Sequence, residues 1–281
     1  MNCLPEIRRR LGDLGKWDDD DIGLTETALL LAAIDNRDLD FTAYERHLEK
    51  LTDDVSTYAG AEADHPERGL EMRAEALRQV LILRYGYLGH DDAYDDAGGA
   101  NLMRVIDRRR GQAIMLGILY IHVARALDWR MDGLDFPPRF LVRLEMDGKR
   151  HILDPYSGGR EIMPNDMRDL YKAIGGPQVE LSPDTYAPMS NRAILLRSRR
   201  NIKTLHLRSE RLEDALKEAE TLLLFAPKEA SLWREVGILN ARLDRIADAI
   251  TALEEFLHLG GGDKSRYRAS ILLQELRTRL N

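Results

Sequence analysis

The sequence predicts a mostly helical α+β protein built in two parts, and three observations carry that prediction. Apolar residues alternate with period 2 around Phe140–Leu153, against a helical period elsewhere. The run before it, Gln112–Leu127, is apolar on every side, as a helix at the centre of a domain must be. Residues 211–216 recur with conservative changes 34 residues later, at 245–250. The chain has 281 residues, enough for two domains. Gly175, Gly176, Pro177, Pro183 and Pro188 cluster where the character changes, so the expected domains are 1–176 and 190–281.

Along the chain, Thr25 is placed to cap a helix over Thr27–Ile34, with Ala28, Leu29, Leu31 and Ala32 on one face. The acidic run Asp18–Asp21 reads as a solvated helix entrance rather than a metal site. Helices follow over Thr42–Tyr58, carrying Tyr44, Leu48, Leu51 and Val55, and over Pro66–Tyr85, opened by a proline. Gly86–Ala100 is an acidic loop whose Asp91, Asp92, Asp95 and Asp96 lack the spacing of a calcium loop. A helix over 101–110 is expected to end at a left-handed Gly111, with Arg108–Arg110 offsetting its dipole. His122 in the buried helix reads as a core or boundary histidine. Phe140, Val142 and Leu144 then mark a strand, Asp147-Gly148 a two-residue hairpin turn, and Arg150–Leu153 the return strand, stopped by Asp154-Pro155.

A balance of 41 basic against 48 acidic residues, net −7, speaks against a general nucleic-acid binder. The charge is uneven: residues 190–281 carry 17 basic and 13 acidic side chains, the rest 24 and 35. No apolar run reaches the ~20 residues of a membrane helix, and the start lacks a secretory pattern, so a cytoplasmic protein is expected. The single cysteine, Cys3, excludes an internal disulfide and a cysteine-based zinc site. Neither a metal nor a cofactor is expected.

A 34-residue period is that of tetratricopeptide repeats, pairs of antiparallel helices. Asn191–Pro227 and Lys228–Gly262 read as two copies, with Asp263–Leu280 as a capping helix. The second copy resembles the consensus at Trp233, Gly237, Ala249 and Leu253, whereas the first has Arg199 and Lys203 where Trp and Gly are usual. Resemblance to those repeats implies a groove lined by the first helix of each pair. It would present Arg197, Arg200 and Arg234 to an acidic peptide or protein partner. Arg192–Arg211, with seven basic residues and one acidic, leaves phosphate or nucleic-acid contact as an alternative.

In the first part, Asn101-Leu102, Arg109-Arg110-Gly111, Leu116-Gly117-Ile118-Leu119-Tyr120, Ala124-Arg125-Ala126-Leu127, Pro137-Pro138-Arg139-Phe140 and Asp154-Pro155-Tyr156-Ser157-Gly158-Gly159 form a set of motifs. Together they resemble the SirB1 N-terminal family, a bacterial branch of the transglutaminase-like superfamily. The resemblance implies a degenerate transglutaminase-like, papain-like domain. Active members place a Cys at the start of the buried helix, a His on a following strand and an Asp on the next. The chemistry needs a thiolate in the field of a helix N-terminus, a base for its proton and an acid to orient the base.

Here the nucleophile position falls within Ala113–Met115, and no residue from Gly111 to Gly117 is Cys, Ser or Thr. The family's Pro-Gly-His-Phe is replaced by Pro137-Pro138-Arg139-Phe140, and arginine is no general base at neutral pH. Only the acid survives, as Asp154. The expected site is therefore vestigial: Ala113 or Met115 at the helix start, and Arg139 in a salt bridge with Asp154. This implies a pseudoenzyme acting as a protein-interaction or regulatory scaffold. The alternative, a hydrolase or acyl transferase with relocated residues, would draw on His151, Asp154, Tyr156 and Ser157. His151 and Asp154 lie an odd number apart on a strand, which turns them to opposite faces.

Overall fold

The computed structural model describes residues 4–35, 41–137 and 139–280; Cys3 lies outside them. The chain forms two compact units, one over Gly23–Ser198 and one joining the segment up to Ile22 with the residues from Arg199 onward. The helices, in chain order, are α1 (Leu4–Leu14), α2 (Leu24–Ile34), α3 (Phe41–Ala59), α4 (Gly69–Leu77), α5 (Leu102–Arg108) and α6 (Ala113–Ala126). They continue as α7 (Pro164–Gly175), α8 (Asn191–Arg208), α9 (Leu212–Phe225), α10 (Ala230–Arg242), α11 (Ile246–Leu259) and α12 (Asp263–Leu280). The strands are β1 (Leu88–Gly89), β2 (Arg110–Gly111), β3 (Arg130–Leu134), β4 (Leu141–Met146), β5 (Lys149–Asp154) and β6 (Arg160–Glu161). Among the described residues, no helix is long and apolar enough to cross a membrane.

In the first unit, α6 is buried along almost its whole length, from Ala113 through Ile121 and on to Ala124. It packs against an antiparallel sheet of order β3-β4-β5-β6. The expected hairpin joins β4 to β5: Asp147 and Gly148 have φ of 49° and 78°, the left-handed pair that a twisted two-residue turn requires. Gly148→Ala is expected to cost about 1–2 kcal/mol of stability, seen as a lower urea midpoint, because a Cβ disfavours that conformation.

β3 was not visible in the period of the sequence, because Asp132 and Gly133 interrupt the apolar pattern. Asp132 is held by its cross-strand neighbour Arg143, 2.9 Å away. Gly133 makes room for Phe140, which is buried just ahead of β4 rather than within it. A methyl group would stand 2.4 Å from that ring at Gly133 and 2.3 Å from it at Gly117 of α6. A cluster of Leu134, Phe136, Leu141, Ile162 and Met167 brings α7 into the same core.

Several boundaries differ from those expected. α2 begins after Gly23, and Thr25 is buried inside the helix instead of capping it; Leu24 and Thr25 are drawn into the core. α3 matches its expected span and buries Leu48, Leu51 and Val55. Pro66 does not open the next helix. His65 Nδ1 accepts from the backbone N–H of Glu67 and Arg68, and α4 starts at Gly69, passing into a π-helical turn over Arg78–Arg84. The acidic loop contains 3-10 turns at Asp91–Tyr94 and Ala97–Ala100, the second capped by Asp96.

Asn101 caps α5, accepting from Arg104 N–H at 3.1 Å and donating to the carbonyl of Ala32 at 3.0 Å. Asn101→Ala should therefore cost about 1–2 kcal/mol in urea unfolding, since one change removes a cap and a buried bond. The left-handed residue after α5 is Arg109, at φ 59°, not Gly111. Gly111 instead pairs in parallel with Gly89 across β1 and β2.

The expected helix pairs are α8 with α9 and α10 with α11, followed by α12; all but the first part of α8, through Ser198, belongs to the second unit. The second helices, α9 and α11, begin 34 residues apart at Leu212 and Ile246. Each follows a left-handed residue, Glu210 at φ 55° and Asp244 at φ 59°. α1 packs against α9 and buries Ile7, Leu11 and Leu14. The units therefore divide differently from the expected boundaries of 1–176 and 190–281. An amphipathic helix from the start of the chain joins the repeats, and the first unit extends through Ser198.

Candidate vestigial active site

Asp154 ends β5 with no exposed side-chain surface. Pro155 halts the strand, and the chain turns back over the carboxylate. Its Oδ1 accepts the backbone N–H groups of Tyr156 at 3.0 Å and Ser157 at 3.2 Å. Its Oδ2 accepts Arg139 Nη1 at 2.9 Å, and the same nitrogen donates to Ser157 Oγ at 2.7 Å. The salt bridge expected between Arg139 and Asp154 is thus present.

The guanidinium also lies over the Tyr156 ring, 5.5 Å from its centroid. Tyr156 Oη donates to Asp91 Oδ1 at 2.6 Å. Burial, with the neighbouring Asp91 carboxylate, pushes that phenol up, so it stays protonated. Tyr94 tilts against Tyr156, and its hydroxyl oxygen meets the backbone N–H of Ala113, the first residue of α6, at 3.5 Å. Burial raises the Tyr94 phenol as well. Met115 is buried two residues further along α6, with Ile114 and Leu116.

Chemically this is a donor site. Arg139 can only donate, and Asp154 is occupied on both oxygens. Ser157 Oγ meets the guanidinium rather than a base. His151, the base of the relocated alternative, turns its Nδ1 to Glu161 at 2.9 Å. The structure does not pair His151 with Ser157. Among the described residues, no three of His, Cys, Asp and Glu come together as metal ligands would.

The three expected partner-binding arginines are divided between the two units. Arg197 belongs to the first unit, where it pairs with Asp135 and lies 5.8 Å from the centroid of Phe140. Arg200 is exposed on α8. Arg234, on α10, donates from Nη1 to Ser265 Oγ at 3.1 Å. Four of the seven basic residues of 192–211 have a carboxylate within the protein. Besides Arg197, Arg199 pairs with Glu218, Lys203 with Glu235, and Arg211 lies 4.0 Å from Asp214. That counts against a phosphate-binding strip.

One polar cluster escaped the sequence reading. Arg109 Nη1 donates to His47 Nε2 at 2.8 Å and to the Tyr87 hydroxyl, and the guanidinium sits 4.8 Å from the Tyr87 ring centroid. An arginine only donates, so Nε2 is unprotonated. Burial and Arg109 push His47 down to about 4 from 6.5. Between those values the unfolded chain binds the extra proton and the folded chain does not. The contribution of His47 to stability is whole above pH 6.5 and falls as pH drops toward 4. His47→Gln is expected to flatten the urea midpoint across that window relative to wild type; parallel curves would count against it.

Residues 42–200 match the transglutaminase-like superfamily and residues 202–274 the tetratricopeptide repeat. A UPF0162 protein of Pseudomonas aeruginosa is 31% identical over 230 residues, 82% of this chain and 83% of that protein. One from Xylella fastidiosa strain 9a5c is 30% identical over 252 residues, covering 88% and 87%. The SirB1 protein of Salmonella typhimurium is 26% identical over 188 residues, covering 65% and 69%. The helix-and-sheet unit and the helical pairs that follow it in sequence accordingly identify this chain as a member of the transglutaminase-like superfamily, of the UPF0162 kind, carrying tetratricopeptide repeats.

Proposed function

We propose that the chain is a pseudoenzyme, a transglutaminase-like domain retained as a scaffold that holds protein partners. The observation that carries this reading is the Arg139–Asp154 bridge. A permanent cation stands where the family's base would be and occupies the surviving acid at 2.9 Å. Ala113 at the opening of α6 offers neither thiol nor hydroxyl. A triad without nucleophile and base has no route for acyl transfer.

The repeats support the second half of the reading, because stacked helical pairs expose faces suited to extended partners. Arg200 and Arg234 are the arginines of the second unit that would meet an acidic segment. Arg197 is withdrawn from that role by Asp135.

The test compares wild type with an Ala113→Cys/Arg139→His double variant on an activated acyl ester and a glutamine-containing peptide. Wild type should stay at the uncatalysed rate, and the double variant should become acylated at the new thiol. Turnover by wild type that Asp154→Asn abolishes without lowering the melting temperature would overturn the reading.

A further inference from the structure

The first unit has a concavity of about 350 Å³ that shares no residue with the Arg139–Asp154 pair. It is walled by β5, β6, the start of α7 and the segment around Leu181–Tyr186. Its volume lies in the range of small-ligand sites, roughly 300–1,000 Å³. Ile152, Met167, Leu181 and Tyr186 supply an apolar lining continuous with the core cluster beneath. At the mouth Met163, an adaptable thioether, leaves 54% of its surface in water.

The charges at the rim are not balanced. Glu161 is paired with His151 at 2.9 Å and Glu180 with Lys172 at 3.2 Å. Arg168 donates to Asn165 Oδ1 at 3.0 Å, an uncharged acceptor. Arg150 stands opposite Glu145 in strand register, but that carboxylate is taken by Arg130 at 3.1 Å and Arg143 at 2.6 Å. Both carboxylates of the rim thus have partners, Glu180 in a lysine and Glu161 in an imidazole. Among the described residues neither guanidinium has a carboxylate.

We propose that this concavity binds a small amphiphilic carboxylate, its apolar body against Ile152, Met163, Met167 and Leu181 and its anionic end on Arg150 and Arg168. An apolar body alone would leave the two guanidiniums unused. A polar anion alone would leave the lining dry and empty. A cation would meet two arginines without carboxylates of their own and two carboxylates already engaged by His151 and Lys172. The combination of an apolar floor with surplus positive charge selects the amphiphilic anion.

The experiment titrates the full chain with octanoate at fixed ionic strength, following heat and backbone amide shifts. Octylammonium carries the same body with the opposite charge, and acetate the head alone. Octanoate should saturate one site, with shifts confined to residues 150–186. Octylammonium and acetate should bind at least tenfold more weakly. Arg150→Glu/Arg168→Glu and, separately, Met163→Glu should each weaken octanoate at least tenfold; all three positions are exposed, and unchanged melting temperatures verify the fold. The proposal is overturned by octylammonium binding as well as octanoate, or by folded variants that keep wild-type affinity. It is equally overturned if no saturable octanoate binding occurs up to about 1 mM, the weak end of specific recognition.

Discussion

Glu218→Ala is expected to destabilise the second unit by about 3–5 kcal/mol, the loss that follows when a buried ion pair is broken from one side. Arg199 is 1% exposed and binds both oxygens of Glu218, Nε to Oε1 at 2.5 Å and Nη2 to Oε2 at 2.7 Å. Removing the carboxylate leaves a guanidinium in the helical interior short of its bidentate partner. A shift of 34 residues explains why the pair is there. Arg199 occupies the position of Trp233, and Glu218 that of Ala252. The first repeat thus spans with two charges what the second fills with an indole and a methyl group. A double variant, Arg199→Trp/Glu218→Ala, transplants the solution of the second repeat and should recover stability to within about 1 kcal/mol of wild type, or exceed it. Urea unfolding of the full chain, followed by helical circular dichroism, measures both. A double variant as unstable as the single would show that more than charge balance is carried by the pair.

Asp154→Ala should cost about 3 kcal/mol. The side chain has no exposed surface and accepts one charged and two backbone hydrogen bonds. Losing it leaves the N–H groups of Tyr156 and Ser157 without their acceptor and frees Arg139, which is 37% exposed and can turn toward water. That partial escape keeps the loss below the one expected at Glu218. Asp154→Asn keeps an acceptor and should lose less than half as much. The order Ala worse than Asn, read from urea midpoints, identifies a carboxylate that works by holding its own loop. Equal effects from both variants would mean that only the charge matters.

How much of this was legible in the residues depends on the range of the interaction concerned. α6 was readable because eight apolar residues pointing all round a helix have only one place to go. The β4–β5 hairpin was readable because Asp147-Gly148 admits few other turns. The helical pairs repeat their own spacing, and the Arg139–Asp154 contact followed from motifs on either side of the hairpin. β3 was hidden because Asp132 is paired across the sheet and Gly133 is shaped by Phe140, neither of which a local period detects. Arg109 gives the same lesson: its left-handed backbone is tied to His47 and Tyr87, far away in sequence. Arg197 looked like its neighbours in a basic run, yet Asp135 decides where it belongs. Tyr94 was missed at the site because nothing next to it in sequence announces the N–H of Ala113.

The placement of α1 with α9 bears on how the protein is made. α1 leaves the ribosome well before α9, so the surface that buries Ile7, Leu11 and Leu14 is not yet synthesised when it emerges. Translation at about 5–20 residues per second puts some 10–40 s between the emergence of α1 and that of α9. During that interval the whole of the Gly23–Ser198 unit is produced and can fold. The nascent chain must therefore carry that amphipathic helix without its α9 partner until the first unit has been made. Its second unit then closes by capturing a segment made before the first unit.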